Sequence, residues 1–173
     1  MKAQNVEIKA KCYNIGSIRK ILQAENARFI GLDHQVDTYF KVPNGRLKLR
    51  RGDIENALIH YLRSNTQEPK VSQVKLFRTT RSEELKAILV DALEVLVVVD
   101  KKREIYFINN VKFHLDQVRG LGSFVEIEAI DEDGSSSPEM LREQCETYLE
   151  QFMIKQADLV SMSYSDLIMA ESI

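Results

Sequence analysis

Gly45-Arg46-Leu47-Lys48-Leu49-Arg50 alternates apolar and cationic side chains with a period of two, directly after the turn signal Pro43-Asn44-Gly45. Strict alternation marks a strand with two unlike faces, and the polar face here is entirely cationic: Arg46, Lys48 and Arg50. The pattern recurs along the chain. Asn5 to Lys11 sets Val6, Ile8 and Ala10 against Glu7, Lys9 and Lys11; Lys101 and Arg103 share one face of a long extended stretch; Glu126 and Glu128 share another. One charged strand face ordinarily belongs to water. Several at once, some carrying carboxylates and others cations, are better explained by a common lumen, polar inside and apolar outside, with helices covering the outer faces.

Further period-2 stretches at 35–41, 57–63, 71–77, 95–108 (one strand or two), 111–118 and 124–130 complete about eight strands. Four helices are predicted between and after them. Ile15, Ile18, Ile21 and Leu22 mark the first, with Asn14 or Ser17 as its N-cap; Thr80-x-x-Glu83 has capping-box spacing and opens a second, to about Leu93. Pro138 starts a third with the apolar stripe Leu141, Cys145, Tyr148, Leu149 and Phe152, and a short fourth lies around 163–168. Tight turns between successive strands imply antiparallel pairing, and eight such strands commonly close. The expected fold is a single α+β domain over residues 1–173, an eight-stranded antiparallel β-barrel with a charged lumen and flanking helices.

Composition narrows the function. The chain has 173 residues with 24 Lys+Arg against 26 Asp+Glu, a net charge of −2 that argues against a nucleic-acid binder. Residues 1–81 carry 16 basic and 7 acidic side chains, and residues 82–173 carry 8 and 19, an asymmetry that leaves open a fold in which a basic and an acidic half meet around something that needs both. The longest apolar run, Val95 to Val99, is far short of the ~20 residues of a membrane span. Met1-Lys2-Ala3-Gln4-Asn5 turns charged at once, so no signal-peptide core is expected. Cys12 and Cys145 make no disulfide framework, which points to the cytoplasm. His34, His60 and His114 lack zinc-ligand spacing, and His114 reads as structural or solvent-facing. Gly120-Leu121-Gly122 is a hairpin signal, since no Gly-Lys-Ser/Thr follows.

Two Glu at i and i+2 on one strand, with another from a distant strand, form a set of hard oxygen ligands that repel one another unless a cation such as Mg²⁺ or Mn²⁺ sits among them. Nearby Lys and Arg suit a polyanion, and the combination suits phosphoryl or nucleotidyl transfer. The chain resembles the CYTH family, the triphosphate tunnel metalloenzymes, through strings that run in order over nearly its whole length. They are Asn5-Val-Glu-Ile-Lys-Ala-Lys11, Asp37-Thr-Tyr-Phe40, Gly45 to Arg50, Leu58-Ile-His-Tyr-Leu-Arg63, Pro69-Lys-Val-Ser72, Val99 to Tyr106, His114-Leu-Asp116, Gly120 to Glu128 and Asp158 to Leu167.

The resemblance implies an eight-stranded tunnel that binds a triphosphate with Mg²⁺ or Mn²⁺. It assigns Glu7, Asp116, Glu126 and Glu128 to the metal, and Glu7, Glu126, Glu128 and Lys9 to catalysis. It assigns Lys9, Lys11, Lys48, Arg50, Arg63, Lys70, Lys101 and Arg103 to substrate phosphates. Asn5 stands where the family has the first Glu of an E-x-E-x-K signature, which removes one negative charge and leaves a neutral oxygen. The implied activity is hydrolysis of a triphosphate such as ATP, thiamine triphosphate or tripolyphosphate. Conversion of ATP to cyclic AMP, as in class IV adenylate cyclases, and non-catalytic binding of a nucleotide or polyphosphate are the alternatives. A homodimer through a strand edge or a helix face is compatible with all three.

Overall fold

The computed structural model describes residues 4–62, 70–71 and 73–172. Its strands are β1 (Gln4–Lys11), β2 (Arg28–Phe40), β3 (Arg46–Arg51), β4 (Ala57–Leu62), β5 (Lys70–Val71), β6 (Gln73–Arg78), β7 (Val95–Ile108), β8 (Val111–Val118) and β9 (Gly122–Asp131). The helices are α1 (Ile15–Ala24), α2 (Ser82–Ala92), α3 (Pro138–Gln151) and α4 (Tyr164–Glu171), with a short 3₁₀ turn at Gln156–Asp158. No helix among the described residues is long and apolar enough to cross a membrane.

All strands join one antiparallel sheet in the order β5-β1-β9-β8-β7-β2-β3-β4-β6. Its two ends, β5 and β6, are successive parts of one stretch of chain, one pairing with β1 and the other with β4. Taken together they make eight antiparallel strands in a sheet that curls back on itself. Because side chains alternate along each strand, register sorts every residue to the inside or the outside. Lys9, Glu126 and His114 are one cross-strand row, and Glu7, Glu128 and Lys112 the next.

The outer face of β1, β8 and β9 is apolar, as the alternation requires. Val6, Ile8 and Ala10 of β1, Phe113 and Leu115 of β8 and Val125, Ile127 and Ala129 of β9 are buried under Ile18 and Leu22 of α1 and Leu141 and Cys145 of α3. Phe113 meets Tyr148 edge to face with ring centroids 4.7 Å apart. A second cluster, including Tyr39, Ile59, Tyr61 and Val99, packs around Tyr164 at the start of α4.

Local differences from the sequence reading have physical causes. Strand β2 starts at Arg28 rather than near 35, because a register shift between Phe29 and Gly31 breaks its alternation. Stretch 95–108 is one strand, paired with β2 and then turned into β8 through Asn109, at φ 50°. The Thr80–Glu83 capping box does not form: α2 begins after Arg81 with no side-chain cap, while Glu83 pairs with Arg51. Asn14 and Ser137 do cap α1 and α3. Replacing Phe113, which has no exposure, by Ala leaves a cavity between sheet and helices. Urea denaturation is expected to show a loss of about 3–5 kcal/mol; a loss below about 1 kcal/mol would contradict an apolar outer face sealed by α1 and α3.

Candidate active site

The inward faces enclose a cavity of about 1100 Å³. Tyr39, Ala57, Ile59, Tyr61, Val74 and Leu76 make one side of it apolar, and charged side chains predominate in the rest. At its centre is Asp37 of β2, paired across the strands with Arg50 of β3. Asp37 accepts from Lys48 Nζ at 2.9 Å, from Arg50 Nε and Nη2 at 2.9 Å each, and from Lys101 Nζ at 3.0 Å. Burial alone would raise its carboxyl, but Arg50, Lys101 and Lys48 hold it well below the usual carboxylate range. One anion among three cations leaves a surplus of positive charge. The most enclosed cation, Lys101, is pushed down to about 7 by burial, with Arg50, Arg103 and Lys48 acting the same way and Asp37 opposing.

A second group spans β7, β8, β9 and β1. Arg103 forks onto Asp116 at 2.7 and 2.6 Å and reaches Glu126 at 3.1 Å. Glu126 also meets Lys9 Nζ at 3.5 Å and His114 Nδ1 at 3.1 Å. Burial and the Arg103 charge bring His114 down to about 4, so the ring is neutral near pH 7. Tyr164 donates its hydroxyl to Asp116 at 2.6 Å, and Lys9 Nζ lies 4.1 Å from the centre of the Tyr164 ring. At this end α4 is tied down by Arg46, which donates to Ser163 Oγ at 2.6 Å and to Asp166 at 2.7 Å.

A third group is acidic. Glu7 and Glu128 face each other in register, and Asn5 donates its side-chain amide to Glu128. Burial and then the Glu7 charge raise the Glu128 carboxyl above its ordinary value.

The match to a family model decides what this arrangement belongs to: residues 3–164 fit the CYTH domain. The chain belongs to the CYTH family. Members are typically enzymes, adenylate cyclases or triphosphatases, and generally depend on a divalent metal. Similar solved structures include the PH1012 protein of Pyrococcus horikoshii OT3, 24 % identical at a TM-score of 0.83 over 94 % of this chain and 98 % of that one. A Vibrio parahaemolyticus protein, named as a candidate adenylate cyclase, is 19 % identical at 0.79 over 95 % and 97 %. A Hippeastrum protein, named as a candidate adenylyl cyclase with a dominant triphosphatase activity, is 14 % identical at 0.65 over 98 % and 95 %. No curated protein matches the chain.

Of the residues singled out from sequence, Glu7, Lys9, Lys48, Arg50, Lys101, Arg103, Glu126 and Glu128 line this CYTH cavity. Asp116 lies behind its wall, fully buried against Arg103 and Tyr164. Lys11 is exposed at the end of β1, away from the lining. Lys70 is placed by its backbone opposite Glu7, and Arg63 lies outside the described residues. The structure adds Asp37, Glu55, Lys112 and His114 to the lumen, and His114 is neither solvent-facing nor isolated. Asp37 carried a readable signal: Asp33, Gln35, Asp37 and Tyr39 form the polar face of a period-2 run.

The donor set fits a divalent cation held by two carboxylates. Glu7 and Glu128 are hard oxygen ligands in mutual repulsion, and Mg²⁺ is commonly held by one or two carboxylates with water and substrate phosphates completing the shell. Among the described residues no group of three His, Cys, Asp or Glu side chains is gathered for a metal.

Lys101 makes stability pH-dependent. It sheds its proton near pH 7 when folded and near about 10.4 when unfolded, so between those values the unfolded chain binds more protons and stability rises with pH. The stability of the wild type relative to Lys101→Met, from urea melts, is expected to rise by up to about 3 kcal/mol between about pH 7 and 9.5. A difference independent of pH would contradict the crowding of Lys101 by the other cations.

Proposed function

We propose that this chain is a metal-assisted triphosphate hydrolase working in the cytoplasm. The observation that carries the reading is the juxtaposition, in one cavity, of a cationic wall on Asp37 and Glu126 with the facing pair Glu7 and Glu128. Lys48, Arg50 and Lys101, with Lys9 and Arg103 beyond them, are donors for phosphate oxygens, and the forked guanidinium groups suit bidentate contact. Their carboxylate partners hold them in place before substrate arrives, so little reorganisation accompanies charge development in the transition state. Glu7 and Glu128 would hold the cation, Mg²⁺ or Mn²⁺, with Glu126 two residues earlier in β9 and Asp116 behind it. When bound, the ion neutralises phosphate charge and acidifies an attacking water. Asn5 contributes an amide rather than a carboxylate beside Glu128, which favours a site with fewer ligands. The Hippeastrum relative's dominant triphosphatase activity agrees with this reading. Both cysteines are free and buried, as suits a reducing compartment.

The apolar side of the cavity, with Tyr39, Ile59 and Tyr61, supports a second reading, in which it seats the base of ATP and the product is cyclic AMP. The Vibrio relative's name points the same way. A panel of tripolyphosphate, thiamine triphosphate, ATP and GTP with Mg²⁺ or Mn²⁺, products resolved, separates the two. Orthophosphate is the expected product; cyclic AMP with pyrophosphate would establish the cyclase, and tight binding without turnover a polyphosphate binder.

Two substitutions test the roles. Arg50→Ala is expected to lower kcat/KM by about 100-fold or more. Glu128→Gln is expected to raise the metal concentration for half-maximal rate about tenfold or more. An unchanged metal requirement in Glu128→Gln would remove Glu128 from the metal site.

A further inference from the structure

At the end of the lumen opposite α4, the turn between β3 and β4 brings a carboxylate inward. Glu55 accepts from Arg50 Nη1 at 3.0 Å on Oε2 and from Lys112 Nζ at 2.6 Å on Oε1, so cations from β3 and β8 converge on it from different walls. Gln35 Nε2 adds a third donor at 3.2 Å. Burial would raise the Glu55 carboxyl, yet Lys112 and then Arg50 hold it below its ordinary value.

The turn is clamped. Asp33, with no exposure, accepts from the backbone N–H of Ile54 and of Glu55 at 2.9 Å each. Asn56 accepts from Gly52 N at 3.1 Å and donates to Gly52 O at 2.7 Å. A Cβ at Gly52 would lie 2.6 Å from Asp33 Oδ1, so only glycine lets the turn press onto Asp33. Glu55 is therefore presented on a backbone held at both sides, and its charge stays where the turn puts it.

An oxyanion gripped by a guanidinium and an ammonium at these distances has the surroundings of a bound phosphate oxygen. The protein has filled that position with its own carboxylate. We propose that Glu55 is a specificity residue that occupies an anion position between Arg50 and Lys112 and interrupts the cationic lining, which also includes the exposed Arg78 and Arg81, so that the lumen accepts short polyphosphates and rejects longer linear ones. A phosphoryl chain continuing past Arg50 meets a fixed negative charge already paired with the cations it needs, which is discrimination by repulsion as well as by lost contacts. The chain-length limit rests on the polyphosphate reading of the lumen; the anion position itself does not.

Isothermal titration of wild type, Glu55→Ala and Glu55→Gln with orthophosphate, tripolyphosphate and tetrapolyphosphate, metal-free, tests this, with thermal melts to check folding. Glu55→Ala is expected to bind orthophosphate at least tenfold more tightly than wild type, and to gain at least tenfold more affinity for tetrapolyphosphate than for tripolyphosphate. Glu55→Gln keeps an acceptor for Lys112 and Arg50, and is expected to move the same way by a smaller factor, so it carries the test should the alanine variant fail to fold. Unchanged orthophosphate binding in the folded variants, or equal tightening toward both longer anions, would overturn the assignment. Absence of tripolyphosphate binding by wild type both without metal and in a repeat titration with Mg²⁺ would instead end the hydrolase reading, while new orthophosphate binding in Glu55→Ala would still uphold the anion position.

Discussion

The carboxylate of Asp37 receives Lys48, Arg50 and Lys101 within 3.0 Å, in a place from which water is almost wholly excluded. Buried charges cost several kcal/mol each unless they are paired and hydrogen-bonded. A lumen that holds Lys101 and Arg103 at 2 % and 3 % exposure therefore has to bury carboxylates with them, and Asp37, Asp116 and Glu126 meet that demand. The remaining architecture follows from the same constraint. Once the charges point inward, β1, β8 and β9 turn apolar faces outward, and α1 and α3 cover them, while β7 also turns Asp100, Lys102 and Glu104 outward. Resident anions also set the geometry that a polyphosphate would meet, so the feature that makes the interior tolerable also prepares it for a ligand.

Much of this was legible in the residues because strand alternation is a local signal. Arg46/Lys48/Arg50, Glu7/Lys9 and Glu126/Glu128 each announce a charged face, and the idea that those faces share one interior follows from their number. What escaped reading depends on contacts between distant parts of the chain. Asp37 is one of four polar residues in alternation, but only the register with β3 and β7 shows that it gathers three cations. Glu55 sits in a turn, where periodicity is silent and Asp33, far back in the chain, decides which way the side chain goes. His114 reads from sequence as structural or solvent-facing because a lone histidine usually is one or the other; its place beside Glu126 in the β8–β9 register puts it inside. The capping box at Thr80 failed for a tertiary reason, since Arg51 claims Glu83 and the Thr79 hydroxyl accepts from the N–H of Arg81.

Membership of the CYTH family describes the frame, and the departures within it describe this chain. Asn5 makes a hydrogen-bonded pair with Glu128 at the position where the family resemblance expects a Glu, and Glu55 with Lys112 forms an ion pair at the opposite end from α4. Both pairs set the charge of the lumen through side chains on fixed strands and turns.

The central claim is that the lumen is a set of cations whose resident carboxylates stand where a polyanion would compete or assist. Its most direct test is the melting temperature of wild type and Asp37→Asn with and without millimolar tripolyphosphate. Removing the Asp37 charge strands buried cations and should destabilise the fold by about 3–5 kcal/mol. Tripolyphosphate should then raise the melting temperature of Asp37→Asn by more than it raises that of the wild type. Melting temperatures that tripolyphosphate leaves unchanged in both proteins would contradict the account.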